Sequence, residues 1–240
     1  MGATEAILDA PLNRYEVPEK LAKPVVTTAV TTPPPIPAQI EVDGIAEAKI
    51  AAAGALDLAG LFAALNAFSH CDLKKGARNS VFADGDPAAR VMIVGEVPER
   101  EEDRAGLPFV GDPRVLLERM FDAIDMGVAH DDAARRIYLT AALPWPAGSV
   151  GPAARDLQML TPFLERHIAL ANPDVVILMG NTACQMLLGK TGVSRLRGHW
   201  SQVMGRPTMV MNHPARLIRD PGTKRDAWAD LLALKAKLEG

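Results

Sequence analysis

The stretch Val91-Met92-Ile93-Val94-Gly95-Glu96-Val97-Pro98 constrains this chain most. Four apolar residues are too few for a helix, and without polar alternation they read as a strand buried on both faces. The run breaks at a glycine and then presents a carboxylate, as a strand does when it empties into a functional loop. Glu101-Glu102-Asp103 and Gly106-Leu107-Pro108-Phe109-Val110-Gly111 follow, then a helical pattern over 113–126 with Pro113 in its first turn. The alternation continues: strands are predicted over 91–95, 137–142, 175–179 and 209–211, and helices over 153–170, 182–188 and 225–238. Strands separated by helices of this length imply parallel crossovers and a sheet covered on both sides. The expected fold is a three-layer α/β/α domain around a mainly parallel four-stranded sheet, with its site at the carboxyl ends of the strands.

Composition adds boundaries. With 240 residues and 48% hydrophobic content, the chain can bury one full-sized core plus an appendage. Residues 1–43 lack periodicity and include Thr32-Pro33-Pro34-Pro35-Ile36-Pro37, so they are expected to form a flexible arm. The domain is expected over 44–240, opening with one or two alanine- and leucine-rich helices. No apolar run approaches the roughly 20 residues of a membrane span. Glu5, Asp9 and Pro11 do not form a basic-then-apolar leader, so a cytoplasmic protein is expected. The only cysteines, Cys71 and Cys184, are too few for a disulfide framework or a four-thiolate metal site. The formal net charge is −3, yet residues 190–225 carry +7 and the remainder −10. Such asymmetry fits either a phosphate-binding face or an ordinary solvated surface.

Four strand ends offer chemistry: Glu96, the segment 141–145, Gly180-Asn181 and His213. A carboxylate and a histidine on one rim can form a hydrolytic pair. Glu96 could equally be a loop acid or a helix cap, and His213 could simply end its strand by hydrogen bonding. Gly189-Lys190-Thr191 is no phosphate loop, because Cys184 stands where the motif needs glycine and the triplet follows a helix rather than preceding one.

The 91–111 segment resembles the Gly-Glu-x-Pro-Gly … Glu-Asp … Gly-x-Pro-Phe-Val-Gly signature of the uracil-DNA glycosylase superfamily, in its iron–sulfur (family four) branch. The likeness extends over about 61–237, through Cys71-Asp72-Leu73, Val81-Phe82-Ala83-Asp84-Gly85-Asp86-Pro87, Pro173-Asp174-Val175-Val176-Ile177-Leu178-Met179-Gly180, Leu196-Arg197-Gly198-His199-Trp200 and His213-Pro214-Ala215-Arg216-Leu217-Ile218-Arg219. The resemblance implies hydrolysis of the glycosidic bond of uracil in DNA. It casts Glu96 as the residue that activates water and His213 as the donor to the leaving base. Gly95, Phe109, Ala141 and Asn212 would border the base, with Phe109 stacking on it. Arg197, Arg216 and Arg219 would contact DNA, and Leu217 and Ile218 would wedge into the base stack. The expected partner is uracil-containing DNA, and the expected state a monomer.

Three departures from the pattern bear on activity. Of the four cluster ligands only Cys71 remains; Phe68, Trp145 and Leu160 stand at the other positions, so no iron–sulfur cluster, metal or other cofactor is expected. Ala141 stands where relatives carry the asparagine that reads the uracil edge, and a methyl group cannot supply that donor–acceptor pair. Glu99 replaces a glycine and, with Glu101 and Glu102, sets negative charge against phosphate. These departures leave open a second reading, a catalytically weakened paralogue that binds DNA or a partner.

Overall fold

The structure is a computed structural model and describes residues 43–240. The expected proline-rich arm lies outside the described residues, apart from Asp43. That residue caps the first helix, its Oδ1 accepting from the Ile45 amide at 3.0 Å. The helices are α1 (Gly44–Gly54), α2 (Leu58–Ala67), α3 (Arg100–Ala105), α4 (Gly111–Asp122), α5 (Ala154–Ala171), α6 (Asn181–Leu188), α7 (Val193–Leu196), α8 (Pro214–Arg219) and α9 (Lys224–Glu239). The strands are β1 (Ala83–Gly85), β2 (Val91–Val94), β3 (Ile137–Thr140), β4 (Val175–Leu178), β5 (Trp200–Val203) and β6 (Arg206–Val210).

These strands form one sheet in the order β1-β3-β2-β4-β6-β5. The inner four, β3, β2, β4 and β6, are parallel as expected, and β1 and β5 add antiparallel edges. Among the described residues the sheet therefore has six strands rather than four. The edges escape a reading of the sequence because Asp84, Ser201 and Gln202 interrupt any apolar run, as edge strands facing solvent permit. Likewise β6 begins at Arg206 rather than at 209, since Pro207 masks its start and is tolerated beside an edge strand.

Both faces of the inner strands are buried. On one face Leu117 and Phe121 of α4 and Leu231 and Leu234 of α9 cover Val91, Ile93, Ile137, Leu139, Ile177 and Met209. On the other, Leu164 and Ile168 of α5 and Ala183 and Cys184 of α6 cover Met92, Val94, Tyr138, Val176, Leu178 and Val210. A third apolar cluster joins α1 and α2 to α5 and gathers Phe68, Cys71, Trp145 and Leu160, all nearly inaccessible. Each side chain of this size contributes about 1.5–3 kcal/mol on burial.

Within this apolar frame sits one imidazole. His167 of α5 is 3% exposed, its Nε2 lies 2.9 Å from the Tyr138 hydroxyl, and Phe82 stacks on it at 4.4 Å. Burial pushes its pKa down to about 3. The unfolded chain, with a histidine pKa of about 6.5, then takes up a proton that the folded chain refuses. Stability is therefore unaffected by this group above about pH 6.5 and falls as pH drops from there toward 3, by on the order of 1 kcal/mol per pH unit. Urea unfolding at pH 7 and pH 5 is expected to show this loss. His167→Gln, which keeps a partner for Tyr138, is expected to reduce it.

Candidate active site

Val94 pairs with Leu178 and Leu178 with Val210, so β2, β4 and β6 end at one level. Beyond that level lies a cleft of about 390 Å³. The β2–α3 segment gives it Glu96, Glu99, Glu101 and Glu102; β4–α6 gives Gly180 and Asn181; β6–α8 gives His213, Arg216 and Arg219.

Glu96 reaches across to α6. The Thr182 amide donates to its Oε1 at 3.0 Å, which satisfies an otherwise free N–H in the first turn of the helix. Gly180 makes this approach possible: its φ is 144°, and a Cβ at that position would collide with the Glu96 carboxyl.

His213 follows the end of β6 and caps α8, its Nδ1 accepting from the Ala215 amide at 3.2 Å. With Nδ1 an acceptor, the neutral ring carries its proton on Nε2. Burial, and then the nearby Arg219 charge, push its pKa down to about 4. At neutral pH this is an uncharged donor held in one tautomer.

Phe109 stacks on that ring, with centroids 5.1 Å apart and planes 14° from parallel. Its φ of 55° turns the loop inward, and its ring lies over Gly95, where a Cβ would come within 2.9 Å of Cζ. Phe109 is only 2% exposed and packs behind His213 rather than lining the cleft. Glu102 fixes the loop by accepting from the Phe109 amide at 2.6 Å and the Glu99 amide at 2.8 Å. Burial raises the Glu102 pKa. Sequence reasoning missed this residue, although Glu99 followed by Glu102 has the spacing by which a helix-start acid reaches back to a free N–H.

Other placements correct the expectations. Ala141 lies outside the cleft: it borders a separate cavity of about 30 Å³ beside Phe82 and His167, and its side chain stops at Cβ. Asn212 is 2% exposed and does not line the cleft. Leu217 is a core residue, 1% exposed, whereas Ile218 beside it is 42% exposed. A helical turn sends neighbouring side chains in different directions, so only Ile218 can act as a wedge. Arg197 is not free for phosphate, because its guanidinium holds the buried Asp230 carboxylate at 2.9 and 2.5 Å and the Asp226 carbonyl at 2.7 Å. Arg206 stands at the start of β6, the far end of the sheet, and bonds Asn172. The basic segment is thus divided, and Arg216 and Arg219 are its members at the cleft.

The Uracil DNA glycosylase superfamily profile matches residues 82–232. The chain belongs to that superfamily. It is 30% identical over 170 residues to a Type-4 uracil-DNA glycosylase of Archaeoglobus fulgidus, an alignment covering 67% of this chain and 82% of that protein. A Type-4 uracil-DNA glycosylase of Sulfurisphaera tokodaii is 27% identical over 65% of this chain and 73% of its own. One of Thermotoga maritima is 28% identical over 62% and 77%.

The iron–sulfur cluster that the superfamily's family-four branch implies can be tested against the residues at its ligand positions. Phe68, Trp145 and Leu160 have no ligating atom, and the Trp145 indole N–H donates to Ser80 at 3.0 Å. Cys71 lies 3.7 Å from Asp156 Oδ1, and burial pushes its thiol up to about 11, away from the thiolate a metal requires. These residues do not fit a cluster.

Because Gly180 combines a left-handed backbone with contact to Glu96, Gly180→Ala is expected to cost about 1–3 kcal/mol. Urea unfolding checks this, and the same variant is expected to displace the Glu96 carboxylate from Thr182.

Proposed function

We propose that this protein hydrolyses the N-glycosidic bond of uracil in DNA and leaves an abasic site. The observation that carries this reading is the pairing, in one cleft, of a helix-bound Glu96 with a His213 held as a neutral Nε2–H donor. Water attacks the anomeric carbon, and its oxygen bonds there while one proton passes to Glu96. The bond from that carbon to the base breaks, its electron pair leaving with uracil. His213 donates to the base oxygen on which negative charge grows, an interaction stronger in the transition state than in the ground state. A neutral donor suits this step, since it need not give up a proton to bind the developing anion.

The nucleotide must leave the duplex, at a cost of a few kcal/mol. Stacking on an aromatic returns about 1–3 kcal/mol. For Phe109 to provide it, the Phe109 and His213 rings must separate, so base entry is an induced fit. Gly95 leaves room for that ring. Arg216 and Arg219 meet phosphate, and the exposed Ile218 fills the space left by the base. The protein works as a monomer in the cytoplasm and without a metal; the apolar cluster around Trp145 takes the place of a cluster staple. Metal analysis of the purified protein is expected to find no stoichiometric iron.

Ala141 and the acidic wall of Glu99 and Glu101 favour a second reading, a DNA-binding paralogue with little catalysis. A single-stranded oligonucleotide with one uracil, treated with protein and then alkali, separates the two. Cleavage at uracil is expected, reduced on the order of 10²–10⁴-fold in Glu96→Gln, with DNA affinity falling as salt rises. Salt-sensitive binding without cleavage would establish the second reading instead.

A further inference from the structure

Trp145 is sealed in the core, yet Trp228 on α9 keeps 45% of its surface exposed, and Leu232 one turn on keeps 46%. A single exposed apolar residue asks for no explanation, but this one belongs to a pattern. Ala227, Leu231 and Leu234 are buried, the two leucines against the sheet. Asp226 and Asp230 lie on a flank of α9 where Arg197 holds both. Trp228 stands two residues from each of these acids, and residues two apart on a helix do not share a face. Its surface neighbours are those three or four away, Lys224 and Arg225 before it and Leu232 after it. The ion pairs of α9 join Arg197 to Asp226 and Asp230, and Lys235 to Glu239. Among the described residues none involves Lys224 or Arg225, and both are exposed. The start of α9 thus presents an indole beside two unpaired cations. It is also the end of α9 that lies by the cleft. Arg219 lines the cleft, and the turn Pro221–Thr223 packs against both α8 and α9. The chain from Arg219 to Lys224 spans no more than about 18 Å, and Trp228 stands about 6 Å further along the helix axis. The far end of α9 is remote: Lys235, Leu238 and Glu239 share a separate cavity with Arg90, which precedes β2 at the opposite rim of the sheet.

We propose that Lys224, Arg225 and Trp228 form a second DNA contact beside the cleft, where an unpaired base of the strand passing Arg219 stacks on the Trp228 indole and its phosphates meet the two cations. This rests on reading the cleft as a DNA site. A flat indole accepts any base, and cations along the backbone path hold a strand without reading its sequence. Within a duplex both faces of each base are taken by its neighbours, so the contact serves single strands. It acts on affinity and on how the strand is led to the cleft, not on the breaking of the glycosidic bond.

Binding of uracil-free single-stranded oligonucleotides of increasing length to the full chain tests this. Wild-type affinity is expected to step up once the oligonucleotide is long enough to leave the cleft and reach α9. Trp228→Ala should remove that step, a loss on the order of 10-fold, and Trp228→Phe, which keeps a stacking face, should retain most of it. Lys224→Gln and Arg225→Gln should each flatten the dependence of log affinity on log salt by about 0.7. The part of the tryptophan fluorescence that Trp228→Phe removes should be quenched by single strands and not by duplex. Because the substituted residues are exposed, melting temperatures should match the wild type. In single turnover on uracil-containing single strands, the loss should appear in the half-saturating protein concentration rather than in the limiting rate. Unchanged single-strand affinity and salt slope across the variants would overturn the proposal, as would an equal loss on duplex and single strand. Wild-type protein that binds single strands through Trp228 but releases no uracil would instead overturn the glycosylase reading and leave this surface standing.

Discussion

The contact on which the cleft depends is the Glu96 carboxylate on the first turn of α6, passing over Gly180. It joins the end of β2 to the start of the helix that follows β4, so the two central strands share one cap. The helix needs an acceptor for its free N–H groups, and a carboxylate that acts on water, the role proposed for Glu96, needs to be held in place. One interaction meets both needs. It also explains why a structural and a functional account of Glu96 are not rivals: capping α6 is the means by which the carboxylate is aimed.

Charge around the cleft is distributed by pairing rather than by the sequence total. Arg197 is spent on Asp230, a carboxylate 1% exposed whose pKa burial raises. Removing Arg197 would strand a buried acid, a loss far larger than any surface ion pair supplies. That leaves Arg216 and Arg219 beside His213, opposed by the acids of the β2–α3 segment. The cleft is therefore polarised, basic on its α8 side and acidic on its β2–α3 side.

The layered α/β/α order and the four parallel strands were legible because their runs, Val91–Val94 and Val175–Leu178 above all, are too apolar to lie anywhere but between two helical layers. Glu96 and His213 were legible because each follows such a run. What the sequence concealed depends on partners distant along the chain. Arg197 reads as a free cation until Asp230, 33 residues on, is seen to hold it. Leu217 and Ile218 read alike until α8 turns one inward. Short α3 and α8 carry no apolar periodicity, since each is a six-residue piece held by its caps. The likeness of motif order supplied the roles; the geometry then showed that Phe109 and Ala141 do not border the cleft.

Alternation along the strand ends sorts the rim by chemistry. Gly95, Phe109 and His213 lie toward the α4 and α9 layer, whereas Glu96 lies toward α5 and α6. Displacement at an anomeric carbon also has two sides, one where water arrives and one where the base departs. A parallel sheet with period-two side chains provides that division without further machinery, because successive residues of one strand serve opposite sides. Ala141 belongs to neither group: it lies apart from the cleft, beside Phe82 and the α5 residue His167.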